Sequence, residues 1–219
     1  METIFRERVQ TVPQELVAAY ATVGVGDLGH ILQFGFMNTG IRPVWRDIRL
    51  VGTALTVRMP SMDIGLNRNA IAMAQPGDVI VVDRRGDTEI AGWGGFAGAL
   101  AKAKGIAGLI VDGAVTDTME FTDLRWPVYS RSVSGLVGRN QGMTGEINTT
   151  IDCSGVPVSP GDLIVADDDG ILVIRPEMAE YLLRTYQERF GQSQNIRQWI
   201  RAGKPLIDLP GVRQFLDRT

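Results

Sequence analysis

Gly92-Trp93-Gly94-Gly95-Phe96, Ala97-Gly98-Ala99-Leu100-Ala101-Lys102-Ala103-Lys104-Gly105, Ile106-Ala107-Gly108-Leu109-Ile110-Val111 and Asp112-Gly113-Ala114-Val115-Thr116-Asp117-Thr118-Met119-Glu120 follow one another without interruption. The second piece is rich in Ala, Leu and Lys, which favour helix, and Gly105 stops it. The third is a short apolar run of the kind buried in a sheet. The order glycine loop, helix, strand, acidic turn predicts an α/β fold. The loop opens the helix, where unpaired N–H groups and the helix dipole favour an anion. The acidic turn falls at the carboxyl end of the strand, where α/β sheets place their ligands.

The same pattern continues outward. Residues 12–20 read as a helix with Pro13 near its start, and 23–27 as a glycine-rich turn followed by His30. Residues 50–59 alternate as a strand that Pro60 stops; 66–74 read as a short helix, 79–83 as a buried strand and 128–131 as another. Residues 135–145 form a glycine-rich loop. Pro76-Gly77-Asp78 and Pro160-Gly161-Asp162 each feed an apolar run ending in Asp, which reads as one turn type used twice rather than as a repeat. Asp168-Asp169-Gly170 reads as a hairpin turn into residues 171–174. Pro176 suits the first position of a helix that runs to Phe190 and stops at Gly191, with Met178, Tyr181, Leu182 and Tyr186 on one face. A further short helix is expected at 196–200. The whole reads as one domain over residues 1–219, with 176–219 as a C-terminal helical extension able to reach a neighbouring subunit.

Composition narrows the function. A length of 219 residues suits a single domain, and 44% apolar with 21% charged residues suits a soluble globular one. No apolar run approaches the roughly 20 residues that cross a bilayer, and no basic-then-apolar leader is visible, so neither a membrane nor secretion is expected. Cys153 is the only cysteine, which excludes an intrachain disulfide and suits a reducing cytoplasm. A net charge of −3 argues against a nucleic-acid surface. One His and one Cys leave no zinc set, so a metal here would be a hard cation held by oxygen.

Asp117 and Glu120 are the candidate ligands. On a helix beginning at Thr118 they share a face and could hold Mg²⁺ or Mn²⁺ largely through water. The competing reading is a helix start resembling a capping box, with Asp at the cap and Glu three residues on. Gly94, Gly95 and Phe96 could bring a substrate carboxylate to the helix N-terminus, or simply allow close packing. Arg85, past a strand end, could bind an anion or be solvated. Asp112 could serve chemistry or satisfy backbone N–H groups. His30 has no adjacent partner, Asp167-Asp168-Asp169 suits a turn better than a metal cluster, and Cys153 has no activating neighbour.

These motifs resemble the RraA-like family. The likeness runs from about Val23 to Pro176 and rests on Gly40-Ile41-Arg42-Pro43, Ala74-Gln75-Pro76-Gly77-Asp78, Gly86-Asp87-Thr88-Glu89, Lys102-Ala103-Lys104-Gly105, Asp112-Gly113-Ala114-Val115, Pro160-Gly161-Asp162 and Ala166-Asp167-Asp168-Asp169-Gly170. The family includes class II 4-hydroxy-4-methyl-2-oxoglutarate / 4-carboxy-4-hydroxy-2-oxoadipate aldolases and regulators of ribonuclease E activity; members often carry a demethylmenaquinone methyltransferase label. The resemblance implies a swivelling phosphohistidine-domain-like, layered α/β/β fold, and a site shared between subunits of a trimer or a dimer of trimers. It also implies a metal anchored by Asp117. In the aldolases a Gly, twenty intervening residues, Arg-Asp, two residues and Glu or Asp form the motif. Gly95, Asp117 and Glu120 match it, but Thr116 stands where the Arg holds the pyruvate unit. A hydroxyl cannot reproduce a bidentate guanidinium–carboxylate contact, a loss of ~3–4 kcal/mol by analogy with oxyanion-hole donors. Arg85, Arg68 or Arg131 could replace that cation. The resulting expectation is a divalent-metal-dependent lyase of the aldolase or oxaloacetate decarboxylase type acting on a 2-oxo acid, with Asp117 and Thr116 at its centre. The alternative is a non-catalytic regulator that presents the same surface to a protein partner.

Overall fold

A computed structural model of the protein describes residues 3–7, 12–59, 62–141, 145–191, 199–205 and 207. Its strands are β1 (Ile4–Phe5), β2 (Arg42–Pro43), β3 (Leu50–Arg58), β4 (Asp78–Trp93), β5 (Gly108–Val115), β6 (Val128–Val133), β7 (Glu146–Ile147), β8 (Ile151–Cys153), β9 (Val156–Val158), β10 (Leu163–Ala166) and β11 (Ile171–Ile174). Its helices are α1 (Gln14–Ala19), α2 (Val25–Gly29), α3 (Leu66–Met73), α4 (Gly95–Ala103), α5 (Thr118–Asp123) and α6 (Pro176–Phe190); a 3₁₀ turn, Tyr20–Thr22, follows α1.

The centre is a parallel ladder β3–β4–β5–β6. The free edge of β3 is shared: β10 pairs antiparallel with its first half and β7 with its end. Strand alternation sorts the core into layers. Ile80, Val82, Leu109 and Val111 face α3, α4 and α5, where they meet Leu66, Ile71, Ala101, Phe121 and Trp126. Val79, Val81 and Ile110 point the other way, into a core closed by Ile151 and Val158 of the β8–β9 hairpin. The β10–β11 hairpin divides likewise: Ile164 and Ile171 face that second core, while Leu163, Val165, Leu172 and Ile174 pack on Tyr20, Leu28, Ala179 and Leu182. A side-chain period of two lets one strand serve two cores, and these strands are apolar on both faces because both are covered. The fold is mixed α/β with a central sheet, as the sequence predicts.

Three expectations change. The stretch 23–27 is not a turn: Val25 opens the short α2, its N–H donating to Asp167 Oδ2 at 2.9 Å, with Val25 and Leu28 buried. Tyr181 is 56% exposed, so the buried face of α6 is Ala179 and Leu182, packed on this chain's own third core. The strand read at 79–83 runs on to Trp93 through register shifts against β5. Gly92 and Trp93 therefore end a strand rather than begin a loop. The helix expected at 196–200 lies outside the described residues up to 198, with 199–201 helical; Pro60 also lies outside them.

The two Pro-Gly-Asp turns are built alike. Gly77 and Gly161 share a φ of +87°. Asp78 Oδ2 accepts from the Gln75 N–H and Asp162 Oδ2 from the Ser159 N–H, each at 2.8 Å. One turn chemistry starts the strand on each side of β3.

Candidate active site

β4 ends at Trp93 and α4 begins at Gly95, while β5 ends beside it at Val115 and α5 begins at Thr118. The last ladder pair joins Trp93 to Val115, so the two crossover turns lie side by side. The Thr116 N–H donates to the Trp93 carbonyl at 3.0 Å, extending the pairing one residue. Asp117 then takes a left-handed conformation, φ 58° and ψ 42°, which Asp tolerates better than most residues.

That conformation settles the capping-box alternative. Asp117 makes no side-chain cap bond to α5. Its Oδ2 instead accepts the Gly95 N–H at 2.9 Å, across the gap to the start of α4, and the Thr116 hydroxyl donates to Oδ1 at 3.3 Å. A carboxylate at this helix start is favourable, and it takes one of the donors that a substrate anion would otherwise use. The Phe96 and Ala97 N–H groups remain without an acceptor among the described residues.

The two glycines are explained by the carboxylates. A Cβ on Gly94 would lie 2.7 Å from Asp117 Oδ2 and 3.0 Å from Thr116 Cγ2. A Cβ on Gly95 would lie 1.9 Å from Glu120 Oε2. Both carboxylates therefore rest on bare backbone at the start of α4, and both are exposed to solvent.

Beside them opens a cavity of about 300 Å³ lined by Trp93, Gly94, Phe96, Thr116 and Asp117, with Asn67 and Arg68 from α3 and Val137 and Asn140 from the glycine-rich loop. Isolated bridges Ala91–Val137 and Asp63–Arg139 hold that loop against the end of β4 and the segment leading into α3. Arg68 is one of the three arginines the sequence offers as a replacement cation; Asn67 carries no sequence signal, because a polar residue in a short helix becomes a wall residue only when α3 packs beside α4.

Other candidates are placed elsewhere. Arg85 has φ 54°, donates its N–H to Asp83 Oδ1 at 2.8 Å, and lines a separate polar cavity with Arg58, Asp112, Arg131 and Asp152. Asp112 is not in the acidic turn, because β5 runs three residues past it. It is 4% exposed, pairs with Arg131 and accepts the Ser154 N–H at 2.7 Å, the backbone-satisfying role. Arg84 is buried under Gly92 and Gly113, its guanidinium held by the Ile90 carbonyl and Asp87. His30 is exposed in a third cavity with Arg49 and Asp169. Asp167, Asp168 and Asp169 form the β10–β11 turn, where Asp167 and Asp168 accept from Val25, Asp169 and Asp47 N–H groups. Cys153 is buried and burial pushes its thiol well up, which makes it unreactive. Among the described residues no helix is long and apolar enough to cross a membrane.

Known proteins share this sequence pattern and fold. A Halalkalibacterium halodurans protein named as a 4-hydroxy-4-methyl-2-oxoglutarate aldolase is 39% identical over 153 residues, 70% of this chain and 72% of that one. The crystal structure of a Streptomyces coelicolor member of the RNase ES inhibitor RraA protein family superposes with a TM-score of 0.75 at 23% identity, covering 86% of this chain and 98% of that one. The RNA-processing inhibitor RraA from Thermus thermophilis gives a TM-score of 0.64 at 28% identity, over 70% and 93%. With the Aldolase/RraA family model matching residues 24–173, the chain belongs to the RraA-like family.

Proposed function

We propose that the protein is a divalent-metal-dependent lyase, an aldolase or decarboxylase, acting on a 2-oxo acid. The observation that carries this reading is the seating of Asp117 and Glu120 against the Gly94–Gly95 backbone, with Asp117 lining the adjoining cavity. The aldolase name of the H. halodurans relative supports it.

The donor set fits Mg²⁺ or Mn²⁺. It offers carboxylate oxygen only, and no group of three or more His, Cys, Asp and Glu surrounds it among the described residues. An ion held by Asp117 and Glu120 would keep several waters, as Mg²⁺ does. When bound, it supplies Lewis acidity to the keto and carboxylate oxygens of a 2-oxo acid. The protein's own groups do the rest. The Thr116 hydroxyl and Gly95 N–H fix the Asp117 carboxylate, the Phe96 and Ala97 N–H groups offer donors to a substrate carboxylate, and Trp93 and Phe96 wall the site.

The same reading includes a homotrimer or hexamer in the cytoplasm. Phe96, Leu100 and Met119 are 70%, 43% and 80% exposed at the rim of the site, an apolar surface suited to a neighbouring subunit. Thr116 favours a second reading, a non-catalytic regulator that binds a protein partner through that surface. Titrating Mn²⁺ into wild-type and Asp117→Ala protein, alongside a metal-dependent assay of pyruvate release from branched 2-oxo acids and of oxaloacetate decarboxylation, tests the lyase. Weaker Mn²⁺ binding by Asp117→Ala and metal-dependent turnover are expected. Equal affinity would remove Asp117 from the metal site, and absence of turnover with metal bound would favour the regulator.

A further inference from the structure

Beyond the metal, no side-chain cation has been assigned to the substrate; resting on the lyase reading, the geometry points to Arg68 as the residue that, together with the Phe96 and Ala97 N–H groups, receives the carboxylate of a 2-oxo monocarboxylic acid whose remainder is uncharged and largely apolar. Arg68 lies in the first turn of α3 and lines the same cavity as Gly94, Thr116 and Asp117. It makes no ion pair or hydrogen bond with any described residue, so its guanidinium is uncommitted. The other two arginines able to stand in for it are elsewhere: Arg85 and Arg131 line the separate polar cavity, and Arg131 is paired with Asp112.

The rest of the wall sets the substrate class. Ile64, Ile71, Trp93, Phe96, Leu100 and Val137 are apolar. Arg68 is the one cation among the described lining residues, and one guanidinium matches one carboxylate through two parallel hydrogen bonds. With that guanidinium, the metal and the helix N–H groups committed to the 2-oxo carboxylate, a second carboxylate would find no cation on the wall, only the neutral Asn140 and an apolar surface, which is costly for a charge leaving water. Two buried polar atoms on lining residues also lack partners: Trp93 Nε1, a donor, and Asn67 Oδ1, an acceptor, although Asn67 Nδ2 donates to the Gly92 carbonyl at 2.9 Å. Native proteins leave few such atoms unmatched, and neither atom is a cation that a second carboxylate could pair with.

Calorimetric titration of the full-length protein with saturating Mg²⁺ tests this, using pyruvate, 4-methyl-2-oxopentanoate and 2-oxoglutarate on wild type and Arg68→Met. Wild type should bind 4-methyl-2-oxopentanoate more tightly than 2-oxoglutarate. Arg68→Met should weaken both monocarboxylates by about tenfold or more, the scale of a charge-assisted contact, with circular dichroism and Mn²⁺ affinity unchanged because Arg68 is exposed and unpaired. Equal affinity in wild type and Arg68→Met would overturn the role of Arg68. Tighter binding of 2-oxoglutarate would overturn the substrate class. Wild type that binds Mn²⁺ but none of the three acids would overturn this inference together with the lyase reading beneath it.

Discussion

Replacing Gly95 by Ala should separate the stability of the fold from the competence of the site. Gly95 is the first residue of α4 and its φ is not positive, so Ala fits the backbone. Such a change stabilises by about 0.4–1 kcal/mol, mostly by restricting the unfolded chain. Against this, the new Cβ would lie 1.9 Å from Glu120 Oε2 and 2.5 Å from its Cδ, so the Glu120 side chain must turn away, and 2.9 Å from Glu120 Cβ, which no rotamer moves, so α5 must also give slightly. That side chain is exposed and holds no hydrogen bond among the described residues, so moving it forfeits little. A forced rotamer costs about 0.5–1.5 kcal/mol. The overlap with Glu120 Cβ adds roughly 1 kcal/mol or more on the scale of overpacking, so the net is a loss of about 1–2 kcal/mol and Tm should fall by about 2–8 °C. The metal should feel the change strongly. With Glu120 displaced, Mn²⁺ affinity should fall by about 10–100-fold, the usual scale for losing a supporting group. Thermal unfolding and Mn²⁺ titration on the same preparation read both. Unchanged Mn²⁺ affinity in the folded variant would show that Glu120 has no part in the metal site, and a collapse in Tm beyond that range would show that its position is structural.

Three further outcomes follow from the same geometry. Gly98→Ala, one turn deeper in α4, places a Cβ 2.6 Å from Phe121 Cε1 and 3.3 Å from Trp126 Cζ3, rings that are buried and cannot swing away. It should destabilise by about 1–3 kcal/mol in denaturant unfolding while leaving Mn²⁺ affinity unchanged, unlike Gly95→Ala. The hydrogen bond from the Thr149 hydroxyl, with help from Arg58, holds the Glu146 carboxyl below its ordinary range. A depressed folded value contributes stability above the unfolded value and loses it as pH falls through the folded one. Glu146→Gln should therefore lower stability at neutral pH, and the gap from wild type should close under acid; a gap constant with pH would refute the assignment. Phe96→Asp should dissociate the assembly in sedimentation velocity, and a native-sized particle would take that rim out of the subunit interface.

The sequence determined the elements because local chemistry was enough. Helix formers closed by Gly105 made α4, two-sided apolar runs made β4 and β5, and a Pro-Gly-Asp turn used twice started β4 and β10. Its motifs also named the family and singled out Gly94, Gly95, Thr116, Asp117 and Glu120. Local propensity failed where a distant partner decided the outcome. Val25 is helical because the Asp167 carboxylate, far along the chain, caps it. Asp112 left the acidic turn because β6 and the β8–β9 hairpin supply Arg131 and the Ser154 N–H. Only the tertiary structure could choose among the arginines. Arg85, which the sequence places past a strand end, lies inside the bulged β4 and lines another cavity, whereas Arg68 lines the site because α3 packs beside α4. The sequence also could not divide the work of Asp117 between capping its own helix and reaching the next one. A left-handed backbone at a single residue, compatible with either reading of the string, turns its carboxylate toward Gly95, because strand pairing has already set those two turns side by side.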